Sequence, residues 1–403
     1  MDDSLYFSEQ HLAVRSMVRE FARSEVAPVA AELDAKAEFP WANVKKMGEL
    51  GLLGIPWPEE LGGAALDLLS YIIVINEMAK VDASHAITIS AHTTLGTSPI
   101  VNFGNAAQKK KYVPLLASGK VLGGFGLTEP SAGSDAASTR STAVRKGSHY
   151  VLNGTKAFIT HGGVGEVFVV TAVTEPGKGT KGISSFIVTK QASDSEKSGG
   201  IGHDDSLPSM PGFRAGKKED KLGWRASDTR SLIFEDVEVP AENLLGEEGE
   251  GFTNFMRTLD SGRVGMAALA LGLAEGALEQ SLRYATLRKQ FGQAIANFQG
   301  IQFQLADIAT EIEAGKHLMF HAAWLAQHKQ PFTKEAAIAK LYCSELAMRT
   351  TIKAIQIHGG YGYTKEYPVE RMFRDAKICE IGEGTSEIQR MVIARNLLKE
   401  LAD

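Results

Sequence analysis

Phe125-Gly-Leu-Thr-Glu-Pro-Ser-Ala-Gly-Ser-Asp135 is the seam at which this 403-residue chain changes character. Taken alone, its glycines, hydroxyls and proline read as a loop, and they equally suit a place where backbone comes close to a ligand. On its N-terminal side, apolar residues fall at helical spacing. Leu12, Val14, Met17, Val18, Phe21 and Ala22 recur over 8–26, and Ser8 stands as an N-cap ahead of Glu9. Further helical stretches are expected over 41–50, 66–81, 85–103 and 106–118, broken by joints such as Gly54-Ile-Pro56 and Leu61-Gly-Gly63. Residues 1–120 are therefore predicted to form an all-helical domain.

On the C-terminal side the texture becomes β. Short β-branched and aromatic runs occupy 144–152, 157–160, 167–173, 184–188 and 231–234 between Gly, Asn and Ser turns, which predicts a middle β domain over 121–240. Asn153-Gly154 is a hairpin signal. It sets Phe158 and Thr160 on one strand face, where they could line a flat aromatic cofactor or pack as an ordinary strand. The stretch 191–211 has no periodicity and is rich in Ser, Asp, Gly and Lys, so it reads as a mobile excursion within the β domain. Beyond Pro240 and Gly246, long amphipathic segments over 252–288, 298–327, 334–357 and 386–401 predict a C-terminal helical bundle across 241–403. The whole is an α+β fold.

Composition narrows the function classes. With 44% apolar and 23% charged residues the chain is an ordinary globular one, and a net charge of -5 disfavours a nucleic-acid partner. Cys343 and Cys379 form no metal-binding or disulfide pattern, and no metal site is expected. The start Met1-Asp2-Asp3 carries no export signal, and no apolar run has the ~20 residues of a membrane span. The reading is a cytoplasmic protein, or one of a mitochondrial matrix if a presequence has been removed. Neither G-x-G-x-x-G after a strand nor a P-loop nor H-E-x-x-H occurs, so any nucleotide is held by another arrangement of backbone amides and helix ends.

Two further segments stand out. Arg288-Lys-Gln-Phe-Gly292 and Gln356-Ile-His-Gly-Gly360 each close a long helix, either as plain C-termini or as a cation and an aromatic suited to a pyrophosphate and an adenine. Ile381-Gly-Glu-Gly-Thr-Ser-Glu387 precedes the last helix. Capping explains Thr385 or Ser386 together with Glu387, but it does not explain Glu383, a carboxylate between two glycines where a general base can be pressed against a substrate.

In this order the segments resemble the acyl-CoA dehydrogenase family, over essentially the whole chain. Residues 126–135 are similar to one signature of that family, and 356–363, 367–375 and 383–390 to another. The resemblance implies an N-terminal helical domain, a middle β-barrel-like domain and a C-terminal four-helix bundle. It also implies an FAD, with Phe125, Leu127, Thr128 and Ser134 along one side, and Phe158 and Thr160 at the flavin ring, Thr160 facing N5. Arg288, Phe291, Gln356, Gly359 and Gly360 would reach the FAD of a neighbouring subunit in a homotetramer, a dimer of dimers, and Thr385 and Glu387 would complete the cofactor's surroundings. Glu383 would be the base that takes the α-proton of an acyl-CoA thioester as the β-hydride passes to the flavin. Ser134, Asp260, Arg263 and Gly384 would meet the substrate, and an electron-transferring flavoprotein would take the electrons.

Some members of the family carry the base on the long helix just before an arginine; here that position is Gly262. His161 where Asn is usual, Gly382 where Tyr is frequent, and the long 191–211 stretch depart from the pattern and bear on substrate identity. The Asp-Ser-Gly-Arg sequence at 260–263 leans towards short-chain members, while the missing Tyr side chain would equally suit a branched or cyclic acyl group. The rival functions are an acyl-CoA oxidase that uses oxygen and a non-catalytic subunit that binds acyl-CoA or flavin.

Overall fold

In the computed structural model, which describes residues 7–190 and 204–402, Ser8 caps the first helix as expected. Its side chain accepts from the His11 N–H, and the His11 ring accepts from the Ser8 N–H in return. Helix α1 (Glu9–Phe21) does not stop at Val26. It passes through a π-helical turn, Ala22–Val26, into α2 (Ala27–Lys36), which ends at Ala37 in the left-handed region. The remaining N-terminal helices are α3 (Trp41–Glu49), α4 (Leu68–Ala79), α5 (Ala83–Ser90), α6 (Ser98–Phe103) and α7 (Ala106–Ala117). Asp67 and Asp82 cap α4 and α5 by accepting from the N–H groups of Ser70 and His85. The stretch expected as one helix over 85–103 is interrupted by a second π-helical turn, Ala91–Thr97.

The β domain holds strands β1 (Gly123–Gly126), β2 (Thr142–Lys146), β3 (His149–Thr160), β4 (Val167–Val173), β5 (Ile183–Thr189), β6 (Phe213–Lys218), β7 (Thr229–Pro240) and β8 (Leu244–Leu245). They run in the order β6-β7-β3-β2-β4-β5-β8, with β1 added parallel to β4. The expected hairpin at Asn153-Gly154 is not there. The turn lies at Gly147, between β2 and β3, while Asn153-Gly154 is a register shift inside β3, where Gly154 passes against Ser141 with no room for a side chain. Most of the stretch read as a mobile excursion, 191–203, lies outside the described residues. Tyr150, Phe168, Phe186, Phe213 and Phe234 form the interior of the sheet.

The C-terminal helices are α8 (Gly251–Leu287), α9 (Gln299–Gln327), α10 (Thr333–His358), α11 (Val369–Ala376) and α12 (Ser386–Glu400). A two-residue-strand hairpin, β9 (Lys289–Gln290) with β10 (Gln293–Ala294), separates α8 from α9. With 37 residues α8 is about 55 Å long, and it is buried through its middle, so one apolar core joins it to α4, α5, α9 and α10. Helix α4 lies on α8 almost backbone to backbone. A Cβ added at Gly265 would fall 2.8 Å from the Tyr71 hydroxyl, one at Gly272 2.4 Å from the Asn76 carbonyl, and one at Gly276 2.3 Å from the Lys80 carbonyl. Among the described residues no helix is long and apolar enough to cross a membrane. Cys343 and Cys379 are buried and unpaired.

Candidate functional site

Glu383 sits in the turn between the short 3-10 helix Lys377–Glu380 and α12. Thr385, not Ser386, is the cap: its hydroxyl accepts from the Ile388 N–H at 3.3 Å, and Glu387 lies exposed in the first turn. Glu383 and Gly384 both have positive φ, 54° and 94°. The Gln389 amide steadies this pair of left-handed residues, donating to the Gly384 carbonyl at 2.8 Å and to that of Glu383 at 3.3 Å. A non-glycine residue held in that region costs free energy, and here the cost is spent on aiming a carboxylate inwards.

Both Glu383 carboxylate oxygens are shut off from solvent and have no hydrogen-bond partner. Helix α8 makes the space for them, because a Cβ on Gly262 would lie 2.1 Å from Oε2. The position that would hold an alternative base thus faces the same spot as Glu383. Burial pushes the Glu383 carboxyl up to about 7, with Lys340 and then Arg263 pulling the other way. The neighbouring Arg263 is itself buried. Its Nη1 donates to Asp260 at 2.5 Å, Asp260 also accepts from the Thr333 hydroxyl at 2.8 Å, and the Arg263 Nε has no partner. A buried anion and a buried donor, both unsatisfied, are what a site for a polar ligand requires.

Close contacts link this spot to the flavin-side residues expected from sequence. The Gly262 Cβ position is 3.5 Å from Leu95 in the second π-helical turn, a Cβ on Gly96 would lie 2.6 Å from the Gly123 backbone in β1, and one on Gly124 2.9 Å from the Thr160 carbonyl. Thr160 is half-buried, and Phe158 is 67% exposed with φ 58° at a bulge in β3. Leu127 and Thr128 are half-buried, Ser134 is exposed, and Gly133 faces open space. The Phe125 ring is buried, stacked on Phe255 at 3.9 Å between centroids.

His161, the departure from the usual Asn, is fully buried and donates through Nδ1 to the Gly123 carbonyl at 2.8 Å. His92 takes the other side of the same residue, accepting from the Gly123 N–H at 3.1 Å and donating to the Leu116 carbonyl at 2.9 Å. Burial lowers both imidazoles, His92 to about 3, so both are neutral at pH 7 and serve to fix β1. The other departure, Gly382, leaves room: a Cβ there would meet only Ile378, at 3.4 Å and beyond.

The sequence reading missed the buried pair beneath the 126–135 loop. Lys156 donates to Glu129 at 2.8 Å and to the Leu127 carbonyl at 3.3 Å, and Glu129 also accepts from the Thr139 hydroxyl and from the N–H groups of Arg140 and Ser141. No local signal marked it: between Thr155 and Ala157, Lys156 reads in sequence as a solvated charge. Lys156→Met leaves the carboxylate buried without its cation and should cost about 3 kcal/mol in denaturant-induced unfolding. The paired Glu129 is held down at about 2. Its folded-state value is depressed, so its contribution is fully present above the ordinary carboxylate range and fades as pH falls from about 4.5 towards 2. Acid titration of the unfolding midpoint should show this loss in the parent and not in Lys156→Met.

A second locus lies at the other end of α8. Arg288, Tyr284, Gly359, Gly360 and Tyr361 line an open cavity of about 490 Å³, with the Arg288 guanidinium 5.6 Å from the centre of the Tyr361 ring. Gly359 and Gly360 have no atom within reach of an added Cβ. Phe291, 94% exposed, and Gln356, on the exposed side of α10, do not line this cavity.

Comparison with known proteins returns three family descriptions in chain order: acyl-CoA dehydrogenase N-terminal domain over 8–120, middle domain over 124–237 and C-terminal domain over 249–398. The chain is 50% identical over 391 residues to a short-chain specific acyl-CoA dehydrogenase of Clostridium acetobutylicum, covering 97% of this chain and 98% of that protein. A chain in a structure of the electron transferring flavoprotein of Acidaminococcus fermentans superposes with a TM-score of 0.92 at 48% identity, over 97% of this chain and 98% of that one. An acyl-CoA dehydrogenase of Bacillus anthracis complexed with FAD superposes with a TM-score of 0.89 at 36% identity, over 98% of this chain and 68% of that one.

Proposed function

Because the chain belongs to the acyl-CoA dehydrogenase family, we infer that Glu383 is the base with which this FAD-dependent enzyme dehydrogenates an acyl-CoA thioester, the electrons passing on to an electron-transferring flavoprotein. The observation that carries the assignment is a carboxylate with no partner, sealed from solvent, seated over the bare backbone of Gly262 and raised to about 7.

The residues present fit the cofactor. A flat ring finds an exposed aromatic and a half-buried hydroxyl at Phe158 and Thr160, and a pyrophosphate finds the open glycine backbone and hydroxyls of the 126–135 loop. Bound there, FAD supplies the acceptor for the β-hydrogen and its electron pair. The protein's own part is acid–base and positional. An α-proton of a thioester is too weakly acidic for a free carboxylate, so charge on the thioester oxygen needs a donor. The Glu383 N–H is suited to this, since among the described residues it donates to no protein acceptor. Removing the carboxylate from water raises its basicity towards the working pH. Arg263, held by Asp260, keeps positive charge near Glu383, which supports a substrate role for both, and for Gly384, the residue after the base.

The cavity at Arg288, Gly359 and Gly360 and the exposed Phe291 support the reading that each copy completes a neighbour's cofactor site within a homotetramer, and the division at 1–120, 121–240 and 241–403 assigns one layer of the site to each lobe. The resemblance to short-chain members favours a small acyl group, and the space at Gly382 equally suits a branched or cyclic one. Anaerobic mixing of the yellow enzyme with straight, branched, cyclic and dicarboxylic acyl-CoAs tests this. Rapid bleaching of the flavin by four- or five-carbon thioesters is expected, and bleaching by none of the panel would refute the reading.

A further inference from the structure

Lys340 lies on α10 with its side chain fully buried, and its ammonium donates to the Gly384 carbonyl at 2.7 Å. That carbonyl belongs to the residue following the base, in the turn whose two positive φ angles the Gln389 amide also holds. A lysine is rarely removed from water to hold one carbonyl, a task a neutral amide performs beside it. We propose that Lys340 is a positioning residue for Glu383, clamping the Glu383–Gly384 turn and supplying the buried positive charge against which the base ionises.

The surroundings of Glu383 support this on every side. From α8 it faces Arg263, whose charge is already engaged by Asp260, and from α4 it faces Tyr71, whose hydroxyl bonds to Ser90 at 3.1 Å and carries no charge. From α10 it faces Lys340. Lys340 in turn meets Cys379 and Glu380 from the preceding turn; burial lowers its ammonium to about 8, which leaves it charged at neutral pH, so its charge is the main counterweight to the desolvation of Glu383. Removing the charge while keeping the turn should therefore make Glu383 harder to ionise, whereas loosening the turn without touching charge should slow the reaction and leave its pH dependence in place.

The inference rests on Glu383 being the base, and the pH profile of anaerobic flavin reduction by the best acyl-CoA of the panel separates the two. Lys340→Met should move the acidic limb up by about one pH unit, as expected for loss of a neighbouring opposite charge. Lys340→Gln, neutral but polar, serves the same purpose if the Met variant does not retain FAD, and Lys340→Arg should return the limb to its original position. Gln389→Met should lower the rate with the limb unmoved. A wild-type limb in the neutral Lys340 variants, or an equal displacement in Gln389→Met, overturns the proposal even if Glu383 is essential. Retained flavin reduction in Glu383→Gln would instead overturn the assignment of the base itself.

Discussion

Glu383→Gln should give a folded, yellow protein that binds acyl-CoA and reduces its flavin about a thousandfold more slowly, or worse, in anaerobic stopped flow. The amide has the carboxylate's shape, and no hydrogen bond of the side chain is lost because none is made. The sign of two pH effects follows from the value of about 7. The parent's reduction rate should rise as pH climbs through that region, since only the ionised form accepts a proton, and the Gln variant's residual rate should not. Stability runs the other way. A carboxyl whose folded-state value is raised holds its proton more tightly when folded, so folding is favoured at low pH and this advantage is lost as pH rises from about 4.5 to about 7. Above neutrality, thermal melts of the Gln variant should therefore lie above those of the parent. A Gln variant that keeps near-parental turnover ends the mechanism.

Gly262→Ala should uncouple activity from stability in the opposite sense to most core substitutions. A methyl in mid-helix usually adds up to about 1 kcal/mol to helix stability, and at Gly262 the nearest atom to be displaced is the end of a flexible side chain, Glu383 Oε2 at 2.1 Å, with Leu95 at an ordinary 3.5 Å. The carboxylate has to leave, and a base displaced by about 1 Å loses on the order of a hundredfold in rate. The expected result is an unfolding midpoint equal to or above the parent's, together with flavin reduction slowed about a hundredfold. Undiminished reduction would show that the carboxylate's place over α8 is not where it works.

How much of this could be read beforehand differs from residue to residue. Ser8 announced its helix because capping is a local matter of one hydroxyl and the N–H three residues on. Glu383 was conspicuous for a similar reason: Thr385 or Ser386 accounted for the cap, which the structure gives to Thr385, leaving a carboxylate between glycines without an explanation. Strand β1 was not visible. Gly123-Gly-Phe-Gly126 has no strand propensity, and it is a strand because β4 pairs with it on one side and the π-helical turn packs backbone to backbone on another. The hairpin expected at Asn153-Gly154 failed because Gly154 was needed for passing Ser141, a neighbour that the local sequence does not reveal. Phe125 was read from its motif alone, which does not reveal that its ring stacks on Phe255, 130 residues away. Lys156 and Lys340 look in sequence like solvated charges, and only the folded arrangement supplies the carboxylate and the carbonyl that allow them inside.

The bare backbone along one side of α8 also dictates how the lobes can move. Where Tyr71, Asn76 and Lys80 rest on Gly265, Gly272 and Gly276, the two helices mesh like a key in its wards, each notch one atom deep. Sliding either helix along the other by a single residue would drive a carbonyl into a side chain. Shear is thereby opposed in this pair, so a change in their relative position has to begin with a lift of one helix off the other.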